Sequence, residues 1–121
     1  MTYVRSSTVA ITTATSGAAT VYSDAMNGSL NAIKVVAAGT TSTADITITG
    51  ETSGFAMLTK ANITKSATSV FYPRAPAHTV AAGATTSAVV LVAVPVFDER
   101  IKLVMAQGGN AQSYTVTYYV V

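Results

Sequence analysis

Asp45-Ile46-Thr47-Ile48-Thr49-Gly50 alternates apolar and hydroxyl-bearing side chains without a break. Successive side chains of an extended chain point to opposite faces, so Ile46 and Ile48 share one side and Thr47 and Thr49 the other. That is a strand with one buried face, and the residues on either side of it read the same way. Glu51-Thr52-Ser53-Gly54 is turn chemistry, and residues 55–59 form the next strand, with Phe55 and Met57 on one face. Upstream, residues 39–43 make a polar turn, and residues 29–38 alternate: Leu30 precedes Ile33, Val35 and Ala37 on one face, with Lys34 and Val36 on the other. The alternation slips once at Asn31-Ala32, which predicts a bulge. Asn27-Gly28 in front of that strand is a hairpin signal, because a tight turn needs residues that tolerate positive φ. Residues 8–14 and 18–23 are strands around a turn at Ser16-Gly17, and residues 69–72 add a short one.

Toward the C-terminus, residues 98–107 and 111–121 flank Gly108-Gly109-Asn110 and are expected to pair across it as a hairpin. Ile101, Leu103 and Met105 line one face of the first, and Tyr114, Val116, Tyr118 and Val120 one face of the second. Pro73-Arg74-Ala75-Pro76 interrupts the pattern, since proline lacks a ladder donor and two so close do not fit a central strand. A long loop over about residues 73–87 is predicted, pivoting at Gly83, and then an apolar run over 88–94 that Pro95 ends. No segment carries a helical apolar stripe with caps, and there is no internal repeat. The fold class is therefore all-β, an antiparallel β-sandwich of jelly-roll-like type, with residues 1–121 as a single domain.

Composition narrows the function. Half of the 121 residues are hydrophobic, yet only 10% are charged, against roughly 25% in an average soluble domain. A 12.3 kDa monomer exposes about 6,000 Å². Its seven basic and five acidic side chains leave about 500 Å² for each, where an average domain carries one charge per ~200 Å². Sparse charge suits a surface largely covered by neighbours. A net charge of +2, with Lys and Arg scattered and no basic run, gives no reason to expect a nucleic-acid partner. No apolar stretch approaches the ~20 residues of a membrane helix. Met1-Thr2-Tyr3-Val4-Arg5 is not a basic region leading into an apolar one, so no secretory leader is expected. With no cysteine in the chain, a disulfide framework, a zinc–thiolate site and a cysteine nucleophile are excluded.

Catalytic constellations are also missing. His78, the single histidine, lies in the proline-containing loop beside Arg74 and has no cysteine to share a metal with. Asp98-Glu99 is the one adjacent acidic pair. Neighbouring strand residues face opposite ways, so the pair does not form an acid/base couple and reads, with Arg100 and Lys102, as a charged strand entry at the surface or as inter-subunit salt bridges. Gly108-Gly109-Asn110 lacks the lysine and helix of a phosphate loop, and no G-x-S-x-G elbow marks a nucleophile. No catalytic residue, no metal site and no cofactor is expected. Tyrosine is the enriched aromatic, at positions 3, 22, 72, 114, 118 and 119. Tyr118 and Tyr119 must face opposite ways, one to the core and one outward.

Asn27-Gly28-Ser29-Leu30-Asn31-Ala32-Ile33, Asp45-Ile46-Thr47-Ile48-Thr49-Gly50-Glu51-Thr52, Phe71-Tyr72-Pro73-Arg74-Ala75-Pro76 and Lys102-Leu103-Val104-Met105-Ala106-Gln107-Gly108-Gly109-Asn110 together resemble small virion structural proteins of tailed bacteriophages. The resemblance spans most of residues 27–121 and implies a β-sandwich attached to the phage particle, of the capsid cement or decoration kind. It implies a virion location after synthesis in the bacterial cytoplasm, with the major capsid protein, copies of the chain itself, or both as partners, in a homo-oligomeric arrangement. Within that picture the proline-containing loop is the docking arm, with Tyr72, Arg74, Pro76 and His78 as partner-binding residues, because prolines lower the entropy lost on binding. Two other readings stay open: a receptor- or carbohydrate-binding fibre module, and a ring component of the head–tail junction or tail tube.

Overall fold

The computed structural model describes residues 4–37, 40–76 and 91–121, and the predicted loop beyond residue 76, with His78 and Gly83, lies outside the described residues. Among the described residues there are eight strands and no helix: β1 (Arg5–Thr12), β2 (Ala19–Val36), β3 (Ala44–Gly50), β4 (Ala56–Ile63), β5 (Thr68–Phe71), β6 (Arg74–Pro76), β7 (Leu91–Ala106) and β8 (Ser113–Val120). All pairings are antiparallel, in the order β1-β8-β2-β7-β3-β4, with β5 on β2 and β6 on β7. The fold is all-β and sandwich-like, as its periodicity predicts.

β2 makes a sandwich from one continuous sheet. Its first half pairs with β7, from Ala19↔Met105 to Leu30↔Val94, and its second half with β8, from Leu30↔Val120 to Val36↔Thr115. Register shifts lie between Tyr22 and Ala25, between Met26 and Gly28, and between Leu30 and Ala32. Each shift bends and twists the strand, so one 18-residue strand serves both layers. The first shift is filled by Ser23, which is buried, takes the Ile101 N–H at 2.9 Å and donates to Asp24 O. The slip at Asn31-Ala32 is the predicted bulge.

The inner face closes on itself. Ile11, Leu30, Ile33, Val35, Ile46, Ile48, Ile101, Leu103, Met105, Val116, Tyr118 and Val120 are all essentially without solvent contact. The faces predicted for residues 30–37, for β3, for β7 and for β8 are those observed, and of Tyr118 and Tyr119 it is Tyr118 that faces the core. At roughly 1.5–3 kcal/mol for each large side chain removed from water, this cluster is the main favourable contribution to folding.

Several turn assignments are corrected. Asn27-Gly28 is not a hairpin turn but lies within β2, where Gly28 takes φ +139°. A Cβ on Gly28 would stand 2.5 Å from Val121 O, so the glycine is needed for close approach. Gly108-Gly109-Asn110 does not join paired strands either: β7 pairs with β2, β3 and β6, and β8 with β1 and β2. The glycines carry the chain from one layer to the other and pack against the β1–β2 connection, where Gly108 N–H donates to Gly17 O at 2.8 Å. Two of the three prolines, Pro76 and Pro95, occupy strands. Residues 74–76 form a short strand that, among the described residues, pairs with β7 alone, and such an edge position tolerates proline. Pro95 does not end the apolar run but sits inside β7 opposite Ser29. It is tolerated because Ser29 exchanges both its backbone bonds with Val121, at 2.9 Å each, and asks nothing of residue 95. Phe55 does not share the inward face of Met57; it precedes β4 and is exposed.

Candidate functional site

Tyr72 and Arg74 lie where the chain leaves β5, paired to the second half of β2, and enters β6, paired to β7. Pro73 between them is buried, and Tyr72 is 65% exposed, the most exposed large hydrophobic side chain among the described residues. The Arg74 guanidinium turns back on the bulge of β2. Its Nη1 donates to Asn31 O at 3.1 Å and to Pro73 O at 2.7 Å, and its Nη2 to Asn31 Oδ1 at 3.3 Å. Arg74 therefore satisfies a carbonyl that the bulge frees from the ladder. Of the four residues predicted to bind a partner, Tyr72 and Arg74 are brought together; Pro76 contributes the end of β6 opposite Leu91, and His78 lies outside the described residues.

Arg74 is opposite Ala93 in the β6–β7 ladder. Val94 and Val96 are buried, so Ala93, Pro95 and Phe97 share the outer face of β7 with Arg74. Phe97 is 53% exposed and meets the 52% exposed Phe55 with ring centroids 5.5 Å apart and planes tilted by 53°. The separation lies in the range of favourable aromatic pairs, and the rings are tilted instead of stacked face to face. The outcome is a strip along β7 that runs from Arg74 through Pro95 to the two phenylalanines, about 13 Å from Ala93 to Phe97 at the usual strand rise.

Two acidic residues hold the Phe55 end of this strip in place. Glu99 is only 4% exposed. Its Oε1 accepts the backbone N–H groups of Thr52 and Ser53 at 2.8 Å each, and its Oε2 accepts Ser53 Oγ–H at 2.7 Å. The Ser53 N–H, with help from the Ser53 hydroxyl and the Thr52 N–H, holds the Glu99 carboxyl below the usual glutamate range against the opposing effect of burial. A Cβ on Gly50 would lie 2.6 Å from Glu99 Oε2, so Gly50 is what admits the carboxylate. The surface reading of Asp98-Glu99 is thus corrected for Glu99, while Asp98 is exposed with φ +48°. Glu51 forms a bidentate ion pair with Arg100, with Arg100 Nε 2.6 Å from Glu51 Oε2. The guanidinium also lies over the Tyr22 ring, 4.3 Å from its centroid. The hydrogen-bonded Arg100 lowers the Glu51 carboxyl and is itself raised by it.

Both carboxylates are therefore engaged with partners in the protein, and among the described residues no three His, Asp or Glu side chains gather as a metal-ligand set. The aromatic pair was not legible in the sequence, because Phe55 and Phe97 come from distant segments and neither periodicity nor spacing joins them. Comparison of the chain with protein-family models, with curated proteins and with solved structures gives no match.

Proposed function

We propose that this chain is a virion structural protein of a tailed phage, one that binds the assembled head as a cement or decoration subunit and stabilises it. The observation that carries the reading is the outer strip of β7, where Pro95, Phe97 and Phe55 are exposed together on a chain with only 10% charged residues. Exposed aromatics on a rigid strand bury much area at little entropic cost when a partner covers them. Arg74, opposite Ala93, lies at one end of the strip, and the exposed Tyr72, with its polar tip, stands two residues before it in the chain. The mechanism is mass action: a ligand that binds the assembled shell and not its dissociated subunits stabilises the shell by an amount that grows with the logarithm of its concentration over its Kd. The partner is the major capsid protein, joined by further copies of this chain.

The test is co-sedimentation with empty capsids, followed by electron cryomicroscopy. Icosahedrally ordered density on the shell is expected, and Phe97→Ala combined with Tyr72→Ala is expected to weaken binding at least tenfold while the far-UV spectrum is unchanged. A chain that closes into a ring without binding shells, or that binds glycans through Tyr72, overturns the reading in favour of a head–tail or receptor-binding role.

A further inference from the structure

A sheet exposes unpaired backbone groups at each edge, and natural proteins blunt such edges with charge, proline, bulges or brevity. Four of the edges here are blunted. β4 carries Lys60, two register shifts against β3, and Asn62 at φ +56°. β5 has four residues, β6 has three and contains Pro76, and the first half of β2 is broken by two register shifts against β7. β1 is different. Its eight residues, Arg-Ser-Ser-Thr-Val-Ala-Ile-Thr, run against β8 in unbroken register from Arg5↔Val120 to Thr12↔Ser113. It has no proline or glycine, and its one charge, Arg5, is folded away to donate to Asn27 O.

The ladder fixes which groups point outward. Thr13 N–H donates to Gln112 O at 3.0 Å, which continues the β1–β8 register. In an antiparallel pair these bonds fall on alternate residues, so Ile11, Val9 and Ser7 also face β8, and Ser6, Thr8, Ala10 and Thr12 turn N–H and C=O to the other side. Among the described residues those four have no ladder partner there.

We propose that β1 pairs with β1 of a second copy, antiparallel, about a two-fold axis at Val9. This inference deepens the assembly reading by naming a self-association edge, and it rests on that reading for its purpose. Pairing about Val9 sets Thr8 opposite the partner's Ala10, Ser6 opposite the partner's Thr12 and Ser7 opposite the partner's Ile11. Every opposed residue from Ser6 to Thr12 is then uncharged, and Arg5 meets Thr13 rather than a second arginine. Ser7 and Ile11 are buried, while Val9 between them is only half-buried and packs on the margin of the core. The partner's Val9 would cover what remains exposed, so the two cores join across the edge. An even register also keeps both inner faces on one side of the extended sheet.

Size-exclusion with light scattering on the full chain, at roughly 5–200 μM, tests this; the expected mass is twice 12.3 kDa. Ala10→Pro withdraws an N–H that points away from β8, and Thr8→Lys sets like charges across the two-fold axis. Each is expected to weaken dimerisation at least tenfold with the circular dichroism unchanged. Val9→Cys, in a chain without cysteine, is expected to give a covalent dimer on mild oxidation. A chain that stays monomeric throughout the range overturns the proposal. So does a dimer that tolerates both substitutions and forms no Val9→Cys disulfide. If Ala10→Pro unfolds the chain, Thr8→Lys and Val9→Cys decide. Capsid co-sedimentation separates the two readings: a monomer that decorates shells removes only the β1 pairing, and a dimer that ignores shells removes only the capsid reading.

Discussion

Glu99 and Tyr118 are both polar groups placed away from water, and they stand in opposite conditions. Glu99 has three donors and holds the turn at residues 51–54. Its folded carboxyl titrates below the ordinary value of 4.5, so the stability it contributes is present above that value and is lost as pH falls through the folded value. Glu99→Gln should lower stability by about 1–3 kcal/mol at neutral pH and flatten the dependence of the urea midpoint on pH below 4.5. An unchanged acid slope would mean that other carboxylates carry it. The Tyr118 hydroxyl, by contrast, has no partner among the described residues, and burial pushes its ionisation well above the usual phenol range. Removing an unsatisfied buried hydroxyl while keeping the ring should help, so Tyr118→Phe is expected to stabilise the protein by about 1 kcal/mol in chemical denaturation.

At the scale of strands, the apolar period was legible and the connections were not. Ile46 and Ile48, the Ile101-Leu103-Met105 face and the Tyr114-to-Val120 face all point inward as their spacing dictates, because the period of two is imposed by backbone geometry alone. Even the slip at Asn31-Ala32 is a real bulge. Asn27-Gly28 and Gly108-Gly109-Asn110 misled because positive φ and close backbone approach are needed in a layer-crossing strand or connection as much as in a tight turn, and the same residue types supply both. The proline-containing segment misled because a proline rules out a central strand, not an edge or a gap between neighbours. Glu99 carries no local sign of burial; its donors lie 46 and 47 residues away. Gly28→Ala tests the crossing. A methyl group there meets Val121 O and Val120 in a backbone region that alanine rarely adopts, so a loss of at least about 2 kcal/mol in thermal or urea unfolding is expected. A neutral result would show that β2 does not pass Val121 as described.

For the whole molecule, the governing feature is that neighbours in space are distant in sequence: β1 pairs with β8, and β7 lies between β2 and β3. Loops must close before such contacts form, and chains of this kind fold in milliseconds to seconds. Stopped-flow refolding followed by tyrosine fluorescence, which the absence of tryptophan leaves unobscured, should show a main phase in that range; a microsecond phase carrying the full amplitude would contradict the topology. The β1–β8 ladder also governs the chain as it is made. β1 is translated about 100 residues ahead of the strand that pairs with it, and at ~5–20 residues per second this leaves it unpaired for roughly 5–20 s on the ribosome. During that time a proline-free strand with a single charge waits beside identical nascent strands on the same messenger. Translation rate and ribosome spacing thus become part of how this protein avoids joining its neighbours too early.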